Sequence, residues 1–230
     1  TRSGVTQAFF PEGGLSLDGH LAPPKMGLLS YAIETHRAGG ARVVFVPVGI
    51  NYDRVLEDRI LIAAKEEGGR RFRARISVVF WFFLRKLWQR LRGRFVHFGT
   101  AAVVYGAPLD LADYRDDTPV DAIATDLMAG IARAMPVLAV PVLAQIFIEA
   151  EGPLAPGEIE SRAKARVAAM GAPLLGEGEA WIEEALDRLR GRKLIAQRDG
   201  LWAAVEAERT LLAYYGASLG EMGEMARAAQ

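Results

Sequence analysis

The sequence predicts an α/β fold: a mixed sheet flanked by helices over residues 1–150, then a small helical, winged-helix-like module over 151–230. Three observations carry this. Arg42–Val48 is a β-branched, apolar run without alternation, as expected of a strand buried on both faces in a parallel sheet. Around it, strand-like and helix-like stretches alternate, which is the α/β pattern. Beyond the turn-rich segment Glu151–Gly157 the pattern becomes helix, helix, hairpin, helix.

The elements follow in order. Thr6–Phe10 reads as the end of a short buried strand, and residues 11–24 as a Gly- and Pro-rich loop. Lys25–Arg37 places Met26, Leu28, Leu29 and Ile33 at helical spacing and stops at Gly39-Gly40. Asp53–Lys65 reads as a second helix with Asp53 as its N-cap. Arg94–Phe98 and Ala102–Tyr105 are short strand candidates, and Thr118–Ala134 is helical. Val137–Ile148 is too short to span a membrane and carries Pro141, so it reads as a buried helix or extended core segment. Glu158–Met170 and Glu179–Leu189 are helices. Asp199-Gly200 between Leu194–Ala196 and Leu201–Ala203 marks a hairpin.

Composition bounds the chemistry. The 230 residues are half hydrophobic and formally neutral, so the chain as a whole is no polyanion binder. Cysteine is absent, which excludes disulfides and thiolate metal sites. His20, His36 and His97 are widely separated and lack acidic neighbours at metal-ligand spacing, so no metal is expected.

The candidate binding residues lie in two segments. In Phe10–Gly27, Glu12 precedes Gly13 and Gly14, whose lack of Cβ lets backbone approach a ligand closely. Ser16 follows, and Lys25, after two prolines, offers an ammonium to an anion. After one helix comes Val46–Asp58, with Pro47, Tyr52 and Glu57. Read alone, Glu12 also suits a loop-bracing carboxylate, Pro47 a strand end, and Tyr52 and Glu57 packing and capping.

Together the two segments resemble the third and fourth conserved blocks of the glycerol-3-phosphate acyltransferases. Phe10, Glu12, Gly13, Gly14, Ser16, Gly19, Pro24, Lys25 and Gly27 are similar to the third block; Val46, Pro47, Val48, Ile50, Tyr52, Val55 and Glu57 are similar to the fourth. Phe98-Gly99, Gly106–Leu109 and Leu211–Tyr215 resemble later parts of that family. The resemblance implies an acyltransferase-like fold and an enzyme of phospholipid synthesis. Its reaction would carry a fatty acyl group from acyl-CoA or acyl carrier protein to the 1-hydroxyl of glycerol 3-phosphate, with no other cofactor. Glu12, Gly13, Gly14, Ser16, Lys25 and Pro47 would bind substrate. Many members carry Arg where this chain has Leu15 and Leu17, leaving His20, Lys25, Arg37 and Arg54 as cations for the phosphate, and lysophosphatidate or dihydroxyacetone phosphate as alternative acceptors.

The family's first block, His-x-x-x-x-Asp, supplies a general base and the carboxylate that orients it. No histidine here has that partner: Lys25, Ala41 and Ala102 stand where Asp would be needed. The chain is therefore expected to be a C-terminal portion that contains no catalytic residue and is inactive alone. Thr1, which is not an initiator Met, and the early position of the loop agree with that expectation.

A third segment points to a bilayer. Gly68–Leu109 holds no acidic residue. Phe80, Trp81, Leu84 and Trp88 share one helical face, with Arg85, Lys86 and Arg92 on the other, as in a helix lying in an anionic membrane interface. A covered core helix is the plain alternative. These residues lead to the expectation of peripheral attachment at the cytoplasmic face of the cell membrane. A nucleic-acid partner is disfavoured: the tail that carries Arg188, Arg190, Arg192, Lys193 and Arg198 also carries Glu177, Glu179, Glu183, Glu184 and Asp187, which would repel phosphates. A non-catalytic membrane scaffold leaves the two loop segments unexplained.

Overall fold

The structure, a computed structural model, describes residues 5–40, 42–66, 99–176 and 178–220. The expected membrane-contact residues Phe80, Trp81, Leu84, Arg85, Lys86, Trp88 and Arg92, and the strand expected at Arg94–Phe98, lie outside them. Among the described residues no helix is long and apolar enough to cross a membrane.

Helices and small sheets alternate in the first half. Helix α1 (Met26–Arg37) is followed by β1 (Val44–Phe45), β2 (Val48–Tyr52) and α2 (Asp58–Glu66). Then come β3 (Ala101–Tyr105), β4 (Leu109–Asp110) and α3 (Val120–Arg133). Among its described residues the second half is helical apart from one hairpin: α4 (Ala139–Glu149), α5 (Pro156–Met170), α6 (Trp181–Gly191), β5 (Ile195–Arg198), β6 (Leu201–Ala204) and α7 (Arg209–Ala217). The hairpin turns where expected: Asp199 and Gly200 both take positive φ, 51° and 79°, as a two-residue primed turn needs.

Three expectations are corrected. Arg42–Val48 is not one buried parallel strand. Pro47 has no N–H to donate, so the run breaks into β1 and β2, each paired antiparallel with the returning β4 and β3. Between Phe45↔Leu109 and Val48↔Tyr105 one side spends Val46-Pro47 and the other Gly106–Pro108, a bulge that slips the register by one residue. An antiparallel ribbon can leave one face open, and Val44, Val46, Val103 and Tyr105 are exposed. Second, Thr6–Phe10 forms no strand and is mostly exposed; Phe9 packs edge-on against Phe45, with centroids 6.5 Å apart. Third, Asp53 caps no helix. Residues 53–57 form a bend, and α2 starts at Asp58, where an acidic side chain suits the helix N-terminus.

Two apolar clusters hold the fold. The smaller joins Leu29 and Ile33 of α1, Phe45, Leu111, and Ile123, Leu127 and Ile131 of α3. The larger surrounds α4, which is buried nearly all round and so reads apolar throughout. Pro141 lies in the first turn of α4, where its missing N–H costs no helical bond. Helix α7 crosses α4 closely at Gly216, whose carbonyl accepts from Gln145 Nε2 at 2.9 Å. Leu61 of α2 and Tyr214 and Tyr215 of α7 join this core, so the second half packs directly against the segment after β2.

Candidate functional site

The two motif segments meet. A cleft of about 500 Å³ is walled by the 10–21 loop, by residues of the 50–57 segment, by Leu61 and Met135, and by Tyr214, Tyr215 and Ser218 of α7 and its end. Strand β2 delivers Ile50, Asn51 and Tyr52 to it. The bend after β2 delivers Arg54, Val55, Leu56 and Glu57.

The loop is locked by its own polar groups. Ser16 Oγ donates to the His20 carbonyl at 2.8 Å and accepts from Gly19 N at 2.9 Å. Asp18 Oδ1 accepts from His20 N at 3.0 Å, and Asp18 Oδ2 pairs with Lys65 of α2 at 3.0 Å. Partial burial is the largest influence on Asp18 and pushes its pKa up. The Lys65 hydrogen bond, the His20 amide and the Lys65 charge outweigh it, so the carboxyl titrates below its usual value. Gly19, at φ +86°, lies so close to α7 that a Cβ would stand 1.9 Å from the Tyr214 carbonyl oxygen. That contact docks the loop on the C-terminal helix.

The expected binding residues divide. Glu12, Gly14 and Ser16 line the cleft. Glu12 also braces the loop, its Oε2 accepting from Ala22 N at 2.6 Å. Gly14 has open space where a Cβ would stand. Gly13 (φ +74°) makes the turn, its N–H bonding Phe10 O at 2.9 Å, and the Lys25 side chain lies over it: a Cβ there would stand 3.0 Å from Lys25 Nζ. Gly13 and Lys25 therefore sit behind the loop edge, not on the cleft wall. Pro47 is not on that wall either. It wedges against Gly130 of α3, where a Cβ would meet its ring at 2.8 Å. Of the candidate phosphate cations, His20 and Arg54 line the cleft, whereas Arg37 bonds the Thr118 carbonyl far from it. Leu15 opens on the cleft mouth; Leu17 packs toward the larger core.

Sequence reasoning missed the polar frame behind the wall. Asn51 Nδ2 donates to Pro136 O at 2.9 Å. Asp53, buried, accepts from Thr100 N at 3.0 Å and from Arg188 Nη1 at 2.7 Å. Asp58, also buried, accepts from Tyr215 Oη at 2.5 Å and pairs with Arg192. Tyr215 Oη in turn accepts from Val55 N at 2.9 Å, and the Arg192 guanidinium lies over the Tyr215 ring at 5.0 Å. Burial first, then the Asp58 hydrogen bond, raise the Tyr215 phenol against the opposing Arg192 charge. Tyr214 is pushed up to about 12 by burial and by the charges of Asp58, Asp18 and Glu57. The signal was available in kind: acids at 53 and 58, and arginines at 188 and 192. Only the fold pairs them. A second cleft, of about 590 Å³, adjoins the first through Arg54, Val55 and Leu56 and is lined by Arg188 and Arg192.

No protein-family model matches the chain. Several curated proteins do. Over 119 residues it is 34% identical to the glycerol-3-phosphate acyltransferase of Pseudomonas fluorescens strain Pf-5, covering 51% of this chain and 13% of that protein. The enzymes of the same name from Ectopseudomonas mendocina and Pseudomonas syringae pv. syringae are 34% and 33% identical over 114 residues, which is 49% of this chain and 13% of each. The match thus spans only a small part of the relatives' own length. Over about half of its residues, this chain is similar to glycerol-3-phosphate acyltransferases.

Proposed function

We propose that this chain forms the acceptor-binding part of an acyltransferase that moves a fatty acyl group onto the 1-hydroxyl of glycerol 3-phosphate. One observation carries the reading: the two segments that resemble the family's third and fourth blocks converge on one cleft. In this reading residues 1–150 supply the acceptor loops, and residues 151–230 supply the helix that closes them. Arg54, on the walls of both clefts, takes the phosphate, with His20 on the wall of the first and Lys25 adding positive field at the loop edge. The glycerol hydroxyls face Glu12, while Ser16 holds the loop that carries it. A general base would come from a His-x-x-x-x-Asp pair, which these 230 residues do not contain, so the chain alone is expected to transfer no acyl group. The donor is acyl-CoA or acyl carrier protein. The acid-free stretch with Trp81 and Trp88 would hold the enzyme on the cytoplasmic face of an anionic bilayer.

Calorimetric titration with sn-glycerol 3-phosphate tests the acceptor. Saturable binding is expected, weakened at least tenfold by Arg54→Gln, since a lost charge-assisted bond costs roughly 1.5–3 kcal/mol. Equal affinity in that variant would overturn the assignment. Vesicle flotation tests the membrane reading: the double variant Trp81→Ala, Trp88→Ala should lose binding to anionic vesicles.

A further inference from the structure

Arg54 stands in a stretch without regular structure of its own. Residues 54 and 55 belong to neither helix nor strand, so neither a helix nor a ladder fixes their backbone. Side chains of α6 and α7 hold the residues on either side of Arg54 instead. Before it, Asp53 is buried. Its Oδ2 accepts from Thr100 N at 3.0 Å and from Arg188 Nη1 of α6 at 2.7 Å, while its own N–H bonds Thr100 O at 2.9 Å. After it, the Val55 amide donates to Tyr215 Oη of α7 at 2.9 Å. These two helical partners lie 135 and 160 residues away in sequence. Tyr215 is itself fixed. Its Oη donates to buried Asp58 at 2.5 Å, and the Arg192 guanidinium that pairs with Asp58 covers its ring at 5.0 Å. Burial, the largest influence, raises the phenol, so the hydroxyl keeps the proton it gives to Asp58 while it accepts from Val55. Tyr215 also lines the cleft, but a hydroxyl has one proton, and this one is spent on Asp58.

We infer that Tyr215 and Arg188 are positioning residues for Arg54: α6 and α7 fix the residues on either side of it and so hold the acceptor-binding cation on the cleft wall. The inference rests on the assignment of Arg54 to the phosphate above and adds how that side chain is held. An Arg side chain loses much rotamer freedom when it binds, and a backbone already fixed reduces what must be ordered with it. A hydrogen bond also weakens as its angle closes, so a loose bend would blunt the contact even with the charge in place.

A double-mutant cycle with sn-glycerol 3-phosphate separates positioning from general stabilisation. Amide shifts read the titration, since they follow weak binding. Tyr215→Phe keeps the ring and its packing and should weaken binding roughly threefold to tenfold, the worth of one hydrogen bond. In the Arg54→Gln background the same substitution should cost less than about twofold further, because the residue it acts through is gone. Ile123→Val, which thins the other apolar cluster, should leave affinity unchanged. Without ligand, the Val55 amide should exchange with solvent faster in Tyr215→Phe than in Ile123→Val. An equal Tyr215→Phe loss with and without Arg54 overturns the inference, as does unchanged affinity in Tyr215→Phe or a loss of the same size in Ile123→Val. If the wild-type chain binds no sn-glycerol 3-phosphate, the acceptor reading fails, and the Val55 exchange alone then sustains or overturns the hold on the bend.

Discussion

Single residues decide whether the loop is a binding edge or an ordinary turn. Gly19 is the strictest. Its left-handed backbone and the 1.9 Å between a Cβ and the Tyr214 carbonyl leave no room for a side chain. Gly19→Ala should destabilise the fold by about 1–3 kcal/mol from backbone strain alone, with further loss from undocking, measurable by urea denaturation. Asp18 makes a pH-dependent tie. Its folded pKa lies below the ordinary value of 3.8, so its contribution is present above that pH and is lost as pH falls through the folded value. Acidification below about pH 4 should therefore release the loop from Lys65, visible as a shift of the His20 amide, and Asp18→Asn should abolish the transition. The motif showed that Gly13, Gly14, Ser16 and Gly19 belong to one loop. It did not show that the Ser16 hydroxyl is spent on Gly19 and His20 within the loop, nor that Gly19 docks against the Tyr214 carbonyl, which is far away in sequence.

At the scale of elements, the cleft wall stands on a pairing of the segment after β2 with helices α6 and α7. Asp58 accepts from Tyr215 and pairs with Arg192, while Tyr215 holds the Val55 amide. Asp58→Ala leaves a buried guanidinium without its charge partner and should cost about 3–5 kcal/mol. Tyr215→Phe removes only the hydroxyl's bonds and should cost about 1–3 kcal/mol. Thermal or urea unfolding of both variants separates the two. Helices such as α1 and α6 were legible because each buries a periodic apolar stripe, and the hairpin because Asp-Gly favours its turn; α4, apolar throughout, read only as a buried helix or extended core segment. The strand at Arg42–Val48 was misread because apolar content reports burial, whereas pairing direction depends on which strand returns beside it. Pro47 was the local sign that the run could not stay continuous.

Over the whole molecule, two motif segments separated by a helix are drawn to one cleft, and the C-terminal helix closes it with Tyr214, Tyr215 and Ser218. The motif pair was readable in the sequence; the closing helix as a wall was not, since nothing local links residue 215 to residues 55 and 58. If the 10–21 loop and the bend after β2 form one acceptor site, as proposed, both must respond to the same ligand. Amide chemical-shift mapping with sn-glycerol 3-phosphate tests it most directly. The account predicts that Gly14, Gly19, Val55 and Glu57 shift together along a single saturation curve, and that Arg54→Gln flattens all four. Shifts confined to one segment, or none in the folded chain, would contradict it.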